Sequence, residues 1–298
     1  MPLSIRLSGI FYAFPFNHMA GYGQNIRAAT AIIRRSCFTN KGIDMNTLKN
    51  KIALITGASS GIGRAAALLF ASEDATVVLG ARRENELARL AAEIAETGGQ
   101  VAVLAGDVCD GAYADALVNL AVTRFGGLDI AFNNAGTMGN LRPFTGLSRT
   151  DWQAVLDVNL TSAFLGARQQ IPAMLARGGG SLIFTASFVG HTAGFPCTAA
   201  YAASKAGLIG MTQALASEFG AHGIRVNALL PGGTDTPMAH EMNSSPEALE
   251  QVARLHALQR LAQPEEIAQA ALFLASPASS FMTGAAMLVD GGVSIKRV

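Results

Sequence analysis

The sequence predicts an α/β domain in which helices cover both faces of a doubly wound parallel β-sheet. Three observations support this prediction: short apolar runs recur along the chain, helical segments alternate with them, and the first run ends in a cluster of glycine and serine. Strands that are apolar on both faces belong to parallel sheets that are covered on both sides. Right-handed crossovers then wind such a sheet in both directions from its centre.

The first half of the chain shows the alternation of strand and helix clearly. The predicted strands are residues 52–56, 76–79, 101–104 and 128–132. The predicted helices between them are residues 64–71, 84–96 and 112–125. The pair Gly98-Gly99 follows the second helix and marks its end, because glycine readily adopts the backbone conformation that ends a helix.

The second half continues the pattern with longer helices. The predicted helices are one long helix at about residues 151–175, then 199–219 and 264–274. The predicted strands are residues 182–185, 225–229 and 287–289, which brings the expected sheet to about seven strands. The sequence shows no internal repeat of the length typical of solenoid proteins.

The composition excludes several classes of function. Half of the 298 residues are hydrophobic, 14% are charged, and the formal net charge is +1. This balance predicts an ordered chain and argues against a nucleic-acid partner, since such proteins usually carry a basic excess. No apolar run approaches the roughly 18 residues of a membrane span, so we expect no membrane partner.

The cysteines and histidines predict neither a disulfide framework nor a metal site. Cys37, Cys109 and Cys197 show no paired spacing, and the five histidines lack the spacing of metal ligands. A reducing, cytoplasmic compartment fits this pattern.

Residues 1–44 differ from the rest of the chain in charge. They hold five basic residues and one acidic residue, Asp44, so the remaining chain is mildly acidic. Their apolar run is short and interrupted by Pro15, which disfavours a secretory signal, while an organelle transit peptide is an alternative. We expect a basic extension that is disordered or artefactual, with Met45 as the start of the protein and residues 45–298 as a single domain.

A glycine-rich loop joins the first strand to the first helix. Thr56 is followed by Gly57, Gly61 and Gly63. Gly57 permits a tight turn, Gly61 lets the backbone approach a pyrophosphate, and Gly63 lets the helix pack on the strand. Because a helix N-terminus offers unpaired N–H groups, this loop predicts a dinucleotide phosphate site, with an ordinary glycine-rich turn as the alternative.

The spacing of this loop, TGxxxGxG, resembles the glycine motif of the short-chain dehydrogenases/reductases. Further matches follow in the family's order: Asn133-Asn134-Ala135-Gly136, Tyr201-Ala202-Ala203-Ser204-Lys205, Pro231-Gly232 and Asp290-Gly291-Gly292. The resemblance covers about residues 50–292. It implies a Rossmann-like reductase domain that binds a nicotinamide cofactor and assembles as a homotetramer, with a dimer as the alternative.

The residues after the second strand indicate which cofactor is preferred. Relatives that bind NAD place an acidic residue there to hold the ribose hydroxyls, whereas this chain has Ala81, Arg82 and Arg83. Two guanidinium groups can hold a 2′-phosphate through charge-assisted hydrogen bonds. Cations at a helix N-terminus oppose the helix dipole, so local stability does not explain them. NADP(H) is therefore favoured, and NAD(H) is possible.

The resemblance also implies further cofactor-binding positions. Asp107 and Val108 match a pair that contacts the adenine, although capping the following helix is an alternative role for Asp107. Asn134 matches an asparagine that stabilises the central sheet, and Thr234 stands where the family usually has Val or Ile. The other matched positions are Ser59, Ser60, Ile62, Ala135, Gly136, Tyr201, Lys205, Pro231, Gly232 and Thr236.

Tyr201 and Lys205 are candidate catalytic residues because their spacing of four places them on one face of a helix. An ammonium near a phenol favours the phenolate, so we expect Lys205 to lower the pKa of Tyr201 from about 10 toward the working pH. By resemblance, Ser187 binds the substrate carbonyl. Asn159 is expected, on the same ground, to bend its helix and hold a water in a proton relay to Lys205.

The resemblance implies hydride transfer between NADP(H) and a carbonyl or secondary alcohol, with Tyr201 as the general acid and base. The alternatives are an NAD(H)-preferring alcohol dehydrogenase, a 3-oxoacyl reductase and a non-catalytic NADP(H) sensor. We expect residues 188–198 and a lid at about residues 234–260 to line a pocket for a small substrate with an apolar body. Burial of the lid against the domain is the other explanation of its apolar residues.

Overall fold

The computed structural model describes residues 47–243 and 245–296. The expected extension at residues 1–44 and the expected start at Met45 lie outside the described residues. The strands are β1 (Ile52–Thr56), β2 (Thr76–Ala81), β3 (Val101–Ala105), β4 (Ile130–Asn133), β5 (Gly180–Thr185), β6 (Ile224–Pro231) and β7 (Ala286–Val289). They form one parallel seven-stranded sheet in the order β3-β2-β1-β4-β5-β6-β7, which confirms the predicted doubly wound sheet.

The helices that connect these strands lie between their ends in the predicted alternation. They are α1 (Gly61–Ser72), α2 (Glu84–Glu96), α3 (Gly111–Phe125), α4 (Arg149–Leu156), α5 (Ser162–Ala176), α6 (Ala199–Phe219), α7 (Pro237–Met242), α8 (Pro246–Leu255) and α9 (Pro264–Ala275). No helix in the two described ranges combines the length and the apolar character needed to cross a membrane.

Two apolar layers cover the faces of the sheet. On one face, α1, α2 and α9 contribute fully buried side chains such as Phe70, Leu87 and Ile267. On the other face, α3, α5 and α6 contribute buried side chains such as Leu117 and Met174. Because both faces are covered, the strands are apolar on both sides, as their sequences predict.

The strand order reverses between β1 and β4, at the centre of the sheet. β1 pairs with β2 on one side and β4 on the other, so Leu54 lies opposite both Val78 and Ala131. In open α/β sheets, ligands bind outside the carboxyl ends of the strands at this switch point. A ligand-binding site is therefore expected at the loops after β1 and β4.

The predicted long helix at residues 151–175 is present as one helical stretch, but it is not regular throughout. It is divided into α4 and α5 by a π-helical turn, Asp157–Thr161. Within this turn Asn159 is buried, and its side-chain amide hydrogen-bonds Thr137 and Ser204 in other segments. A helix that accommodates these bonds departs from regular α geometry, and propensity alone does not predict such a departure.

Helices α7 and α8 occupy the region expected to be a lid. Each begins with a proline, Pro237 and Pro246, whose fixed φ angle suits the first helical position. The side chains of Thr236 and Ser245 cap them by accepting backbone N–H groups.

Candidate active site

The loop between β1 and α1 brings its backbone close to the end of β4. Gly57 has φ +67°, and a Cβ there would lie 2.9 Å from the Cα of Ala135. A Cβ at Gly63 would lie 2.3 Å from the carbonyl oxygen of Gly57, so glycine is needed for α1 to pack this closely. A Cβ at Gly61 would lie 3.0 Å from the methyl group of Thr236. The loop therefore makes the predicted tight turn and close helix packing.

Arg83 reaches back over this glycine loop. Its Nη2 donates to Ser59 Oγ at 2.9 Å and to Ser60 Oγ at 2.7 Å. Arg82 lies within electrostatic range of Cys109. Burial raises the pKa of the Cys109 thiol to about 11, and the positive charge of Arg82 opposes this rise. The two arginines of the predicted phosphate clamp thus have different surroundings, and Arg83 is the one joined to the glycine loop.

Asp107 follows β3 and turns the chain toward α3. Its Oδ1 accepts the backbone N–H of Cys109 at 3.0 Å. The suggestion that Asp107 caps α3 is wrong, because Asp110 is the capping residue and accepts the N–H of Ala112 at 2.9 Å. Val108, the other predicted adenine contact, packs against the apolar layer that includes α3.

Asn134 connects the carboxyl ends of β1, β4 and β5. Its Nδ2 donates to the carbonyl oxygen of Thr56 at 3.3 Å, and its Oδ1 accepts from Thr185 Oγ1 at 3.1 Å. Thr56 Oγ1 accepts the backbone N–H groups of Asn134 and Ala135 at 3.1 and 3.2 Å. Asn134 therefore lies where an asparagine that stabilises the centre of the sheet is expected.

Ser187 and Tyr201 meet at the carboxyl end of β5. Ser187 is buried, its Oγ accepts the backbone N–H of Val189 at 3.1 Å, and its side chain lies close enough to the Tyr201 hydroxyl to affect the pKa of that group. Burial raises the pKa of Tyr201, and the Ser187 side chain opposes that rise. The phenol is consequently protonated at neutral pH.

Lys205 lies one turn farther along α6 and is 3% exposed. Its Nζ donates to the carbonyl oxygen of Thr185 at 2.6 Å and lies 5.6 Å from the centroid of the Tyr201 ring. Burial lowers the pKa of Lys205 to about 8. The expected lowering of the Tyr201 pKa is not found, because burial of the phenol raises this pKa by more than Ser187 lowers it.

Asn159 joins this cluster through the π-helical turn. Its Oδ1 accepts the N–H of Thr137 at 2.8 Å, and its Nδ2 donates to Thr137 O and to Ser204 Oγ, both at 2.9 Å. Ser204 in turn donates to the carbonyl oxygen of Tyr201 at 2.7 Å. Sequence reasoning missed Ser204, although a small polar residue directly before Lys205 is a weak signal for it.

Gly136 leaves a small space between two polar groups of the cluster. A Cβ at this position would lie 3.3 Å from Asn159 Oδ1 and 3.4 Å from Lys205 Nζ. The predicted relay partners therefore face the same volume, which glycine keeps free of a side chain.

The end of β6 and the segment after it, residues 232–236, approach the glycine loop from the other side. Gly232 donates its N–H to the carbonyl oxygen of Val289 at 3.0 Å, and Thr234 Oγ1 donates to Gly232 O at 3.1 Å. Thr236 caps α7 through the N–H of Ala239 and has its methyl group beside Gly61. Pro231, the last residue of β6, Thr234 and Thr236 thus lie at the same edge of the sheet as Gly61.

The lid region presents apolar side chains to the surface. The exposed large residues there are Met238, Met242, Leu255 and Leu258. Met238 and Met242 are each a little more than one third exposed, so part of each side chain packs against the domain and part is open to a ligand. In the segment 188–198, Phe188 and Phe195 pack edge to face with ring centroids 5.8 Å apart, and His191 is exposed.

His256 is a buried polar residue that sequence reasoning set aside. It follows α8, is 2% exposed, and its Nε2 accepts the backbone N–H of Gly233 at 2.9 Å. Nothing in its spacing to other residues signals this contact, which depends on how α8 folds back over the segment after β6.

The arrangement fits a dinucleotide cofactor. The first turn of α1, all of which is described, holds no acidic residue, and Ser60 makes no side-chain cap there. The backbone N–H groups of this turn are therefore not bound by a capping side chain. Helix N-termini with this character bind phosphate. The glycine cradle, Arg83 and the Ser187–Tyr201–Lys205 cluster lie along one edge of the sheet, at the carboxyl ends of β1, β2 and β5.

Comparisons with known proteins agree with this arrangement. A family model described as enoyl-(acyl carrier protein) reductase matches residues 57–294. Cyclohexanol dehydrogenase from Acinetobacter sp. (strain SE19) is 39% identical over 251 residues, which are 84% of this chain and 98% of that protein. The 3-oxoacyl-(acyl-carrier-protein) reductase from Thermotoga maritima is 40% identical over 249 residues, which are 83% of this chain and 99% of that protein.

Solved structures give the same result. The crystal structure of levodione reductase has a TM-score of 0.80 at 33% sequence identity and matches 84% of this chain and 100% of that chain. The matches to levodione reductase and to the two relatives each cover nearly the whole length of the other protein and more than four fifths of this chain. The chain therefore belongs to the short-chain dehydrogenase/reductase family, whose members interconvert hydroxyl and carbonyl groups with a nicotinamide cofactor.

Proposed function

We propose that this chain is an NADP(H)-dependent oxidoreductase that interconverts a carbonyl group and a secondary alcohol, with Tyr201 as the general acid and base. The observation that carries this proposal is the cluster at the end of β5. There the side chain of Ser187 lies beside the Tyr201 hydroxyl, and Lys205 Nζ lies 5.6 Å from the Tyr201 ring centroid. The four-residue set Asn159, Ser187, Tyr201 and Lys205 is complete, which disfavours a non-catalytic cofactor sensor.

The reaction follows from what these side chains can do. When bound, the nicotinamide supplies or accepts a hydride at its C4 atom. Ser187 Oγ and the Tyr201 hydroxyl bind the substrate oxygen together, and two donors at one oxygen polarise a carbonyl. Tyr201 donates its proton to that oxygen as the alcohol forms and accepts the proton in the reverse direction.

Lys205 and Asn159 are proposed to restore the proton on Tyr201. The ammonium of Lys205 is held by the carbonyl oxygen of Thr185 and faces the space beside Gly136. Asn159 Oδ1 faces the same space, so a water there would contact both polar groups. Lys205 is also proposed to hold the nicotinamide ribose.

The preference for NADP(H) is supported by charge near the glycine loop. Arg83 already lies against Ser59 and Ser60, where its guanidinium can bind a phosphate bidentately. Ala81, the last residue of β2, provides no carboxylate to repel that phosphate. NAD(H) remains the competing cofactor, and it would need no contact from Arg83.

A small ketone or secondary alcohol with an apolar body is the proposed substrate. The similarity to a cyclohexanol dehydrogenase and the exposed apolar residues Met238 and Met242 on α7 support it. A 3-oxoacyl reductase is the second candidate, because a reductase of that name is 40% identical. An acidic carrier protein needs basic residues near the entrance, but Arg177 pairs with Asp129 at 3.2 Å next to the amino end of β5, away from the cluster.

The proposal is tested by following NADPH absorbance with cyclohexanone and with a 3-oxoacyl thioester. We expect Tyr201→Phe to lower kcat by about 10²–10⁴-fold, as loss of a general acid does. The dissociation constant of NADPH, measured by calorimetry, should stay within about threefold, since the phenyl ring remains. Tyr113→Phe is the matched control, because the Tyr113 hydroxyl donates to the carbonyl oxygen of Leu104 in β3 and not to the cluster at the end of β5. Full turnover by Tyr201→Phe, or a lower KM for NADH than for NADPH, contradicts the proposal.

We also propose that the chain assembles as a homotetramer, with a dimer as the alternative. Large apolar side chains are exposed on α5 at Phe164 and near β7 at Phe281 and Ile295. Apolar patches of this kind mark contact surfaces. Light scattering should give the mass of four chains, and Phe164→Glu with Phe281→Glu should reduce it. A monomer at micromolar concentration contradicts the proposal.

A further inference from the structure

His256 is bound by backbone groups from two different segments. Its Nε2 accepts the N–H of Gly233 at 2.9 Å, and its Nδ1 pairs with the carbonyl oxygen of Val252 at 2.9 Å. A nitrogen that accepts an N–H carries no proton, and a nitrogen that bonds a carbonyl must carry one. The contacts therefore select the neutral imidazole with its proton on Nδ1.

The surroundings of the ring are shaped for an imidazole. A Cβ at Gly233 would lie 2.8 Å from its Cε1, and a Cβ at Gly291 would lie 3.3 Å from its Cδ2. Two glycines, one in the segment after β6 and one after β7, thus leave the room that the ring fills. The ring is 2% exposed, so water does not compete for its two hydrogen bonds.

The bond to Gly233 fixes the segment that carries Thr234 and Thr236. On one side of Gly233, the Gly232 N–H donates to Val289 O at 3.0 Å. On the other side, the Asp235 N–H donates to Ala262 O at 2.8 Å. Between these two anchors, the Gly233 carbonyl oxygen accepts the Ala262 N–H at 2.9 Å, and the Gly232 carbonyl oxygen accepts Thr234 Oγ1 at 3.1 Å. The Gly233 N–H is held by the His256 ring, which Val252 ties to α8.

We propose that His256 is a positioning residue for the nicotinamide. By holding the peptide at Gly233, it fixes the positions of Thr234 and Thr236 relative to α8. The reference to nicotinamide rests on the function proposed above. The ring itself is not a catalytic group, because both nitrogens are bound to backbone groups and neither is left to reach a substrate. Its effect passes through the segment 232–236, so the cofactor affinity should respond more than the chemical step.

Two amide variants separate the two bonds of the ring. Asn places an amide near the Nδ1 position and keeps a donor for Val252, whereas Gln places its oxygen near the Nε2 position and keeps an acceptor for Gly233. We expect His256→Asn to raise both the dissociation constant and the KM of NADPH by about three- to tenfold, the usual effect of one lost hydrogen bond. His256→Gln should restore most of the affinity, and kcat at saturating NADPH should change by less than about twofold in both.

The control is His222→Leu, which changes an exposed histidine in the short turn after α6. Calorimetry gives the NADPH affinity, and hydrogen exchange of the Gly233 amide without any cofactor gives the position of the peptide. We expect faster exchange at Gly233 in His256→Asn and nearly wild-type exchange in His256→Gln. A merely structural role predicts equal losses of thermal stability in the two amide variants and no difference between them in affinity or exchange, and that result overturns the proposal.

The two readouts also distinguish this proposal from the proposed function. Wild-type protein that binds neither NADPH nor NADH contradicts the proposed function and the cofactor part of this inference. The exchange at Gly233 is measured without cofactor, so it still shows whether His256 holds the peptide. Unchanged exchange in a folded His256→Asn protein overturns the positioning role even where NADPH binds normally.

Discussion

The catalytic cluster and the recognition surfaces of this domain differ in how their side chains are held. Asn159, Ser204 and Lys205 are buried and bonded to one another or to backbone groups. By contrast, Arg83 and the lid residues Met238 and Leu258 are exposed. The residues proposed for chemistry are thus positioned before a ligand arrives, whereas the exposed residues proposed for recognition are less constrained by packing. Substitutions should therefore cost most in the first region and least in the second.

Loss of the buried ammonium should give the largest effect. Lys205→Met keeps the length of the side chain but removes the proposed proton source, and we expect kcat to fall by about 10²–10⁴-fold. Steady-state kinetics with NADPH measure this change. Lys51→Met is the control, since that side chain is 46% exposed and lies near Asp129 at the opposite edge of the sheet. Equal kcat values for the two variants would remove Lys205 from the mechanism.

The exposed arginine should give the next largest effect, and only with one cofactor. Arg83→Ala removes charge-assisted hydrogen bonds worth about 1.5–3 kcal/mol, so the ratio of kcat/KM for NADPH to that for NADH should fall about 10- to 100-fold. Arg89→Ala on the same helix is the control, because Arg89 pairs with Glu86 on the surface. An unchanged ratio in Arg83→Ala would mean that the 2′-phosphate is bound elsewhere or is not bound.

Raising the pH should lower activity through the buried cluster. Burial lowers the pKa of Lys205 to about 8, so its ammonium loses its proton as the pH rises through that value. Burial raises the pKa of Tyr201, so the phenol stays protonated over the same range. We expect kcat for carbonyl reduction to be constant below pH 8 and to fall by at most about tenfold per pH unit above it. A pH-independent kcat up to about pH 10 would contradict this account.

The smallest effect should come from the lid. Met238→Ala removes a side chain that is 38% exposed, so only part of its apolar surface is available to a substrate. We expect the KM of an apolar ketone to rise about two- to fivefold, with kcat unchanged. Leu175→Ala is the control, because Leu175 is equally exposed but lies at the end of α5. A KM that rises equally in both variants would place the substrate away from α7.

Much of this fold could be predicted because its signals are local. The apolar run of β1, the glycine spacing after it and the four-residue interval between Tyr201 and Lys205 are all read within one segment. Asn159 and Ser187 could be named only through the family resemblance, since they meet the others across β5 and α6. In the structure Ser187 lies beside Tyr201, and Asn159 faces the same space as Lys205, while their catalytic roles stay predictions.

What could not be predicted depends on contacts between distant segments. The π-helical turn at Asp157–Thr161 accompanies bonds from Asn159 to Thr137 and Ser204, which no periodicity reveals. The role of His256 requires Gly233 and Gly291 to come together beside it. The pKa of Tyr201 was predicted in the wrong direction, because the four-residue spacing shows that an ammonium is near but not that the phenol is buried.

The π-helical turn makes the site sensitive to chain length as well as to residue identity. A regular α-helix advances by about 100° per residue, so one residue removed from 157–161 would rotate everything before it against α5 by about that angle. Asn159 would then leave Thr137 and Ser204 even with every side chain retained. A single-residue deletion there should thus be as harmful as the loss of Asn159 itself, and the turn is best regarded as an insertion that the active site requires.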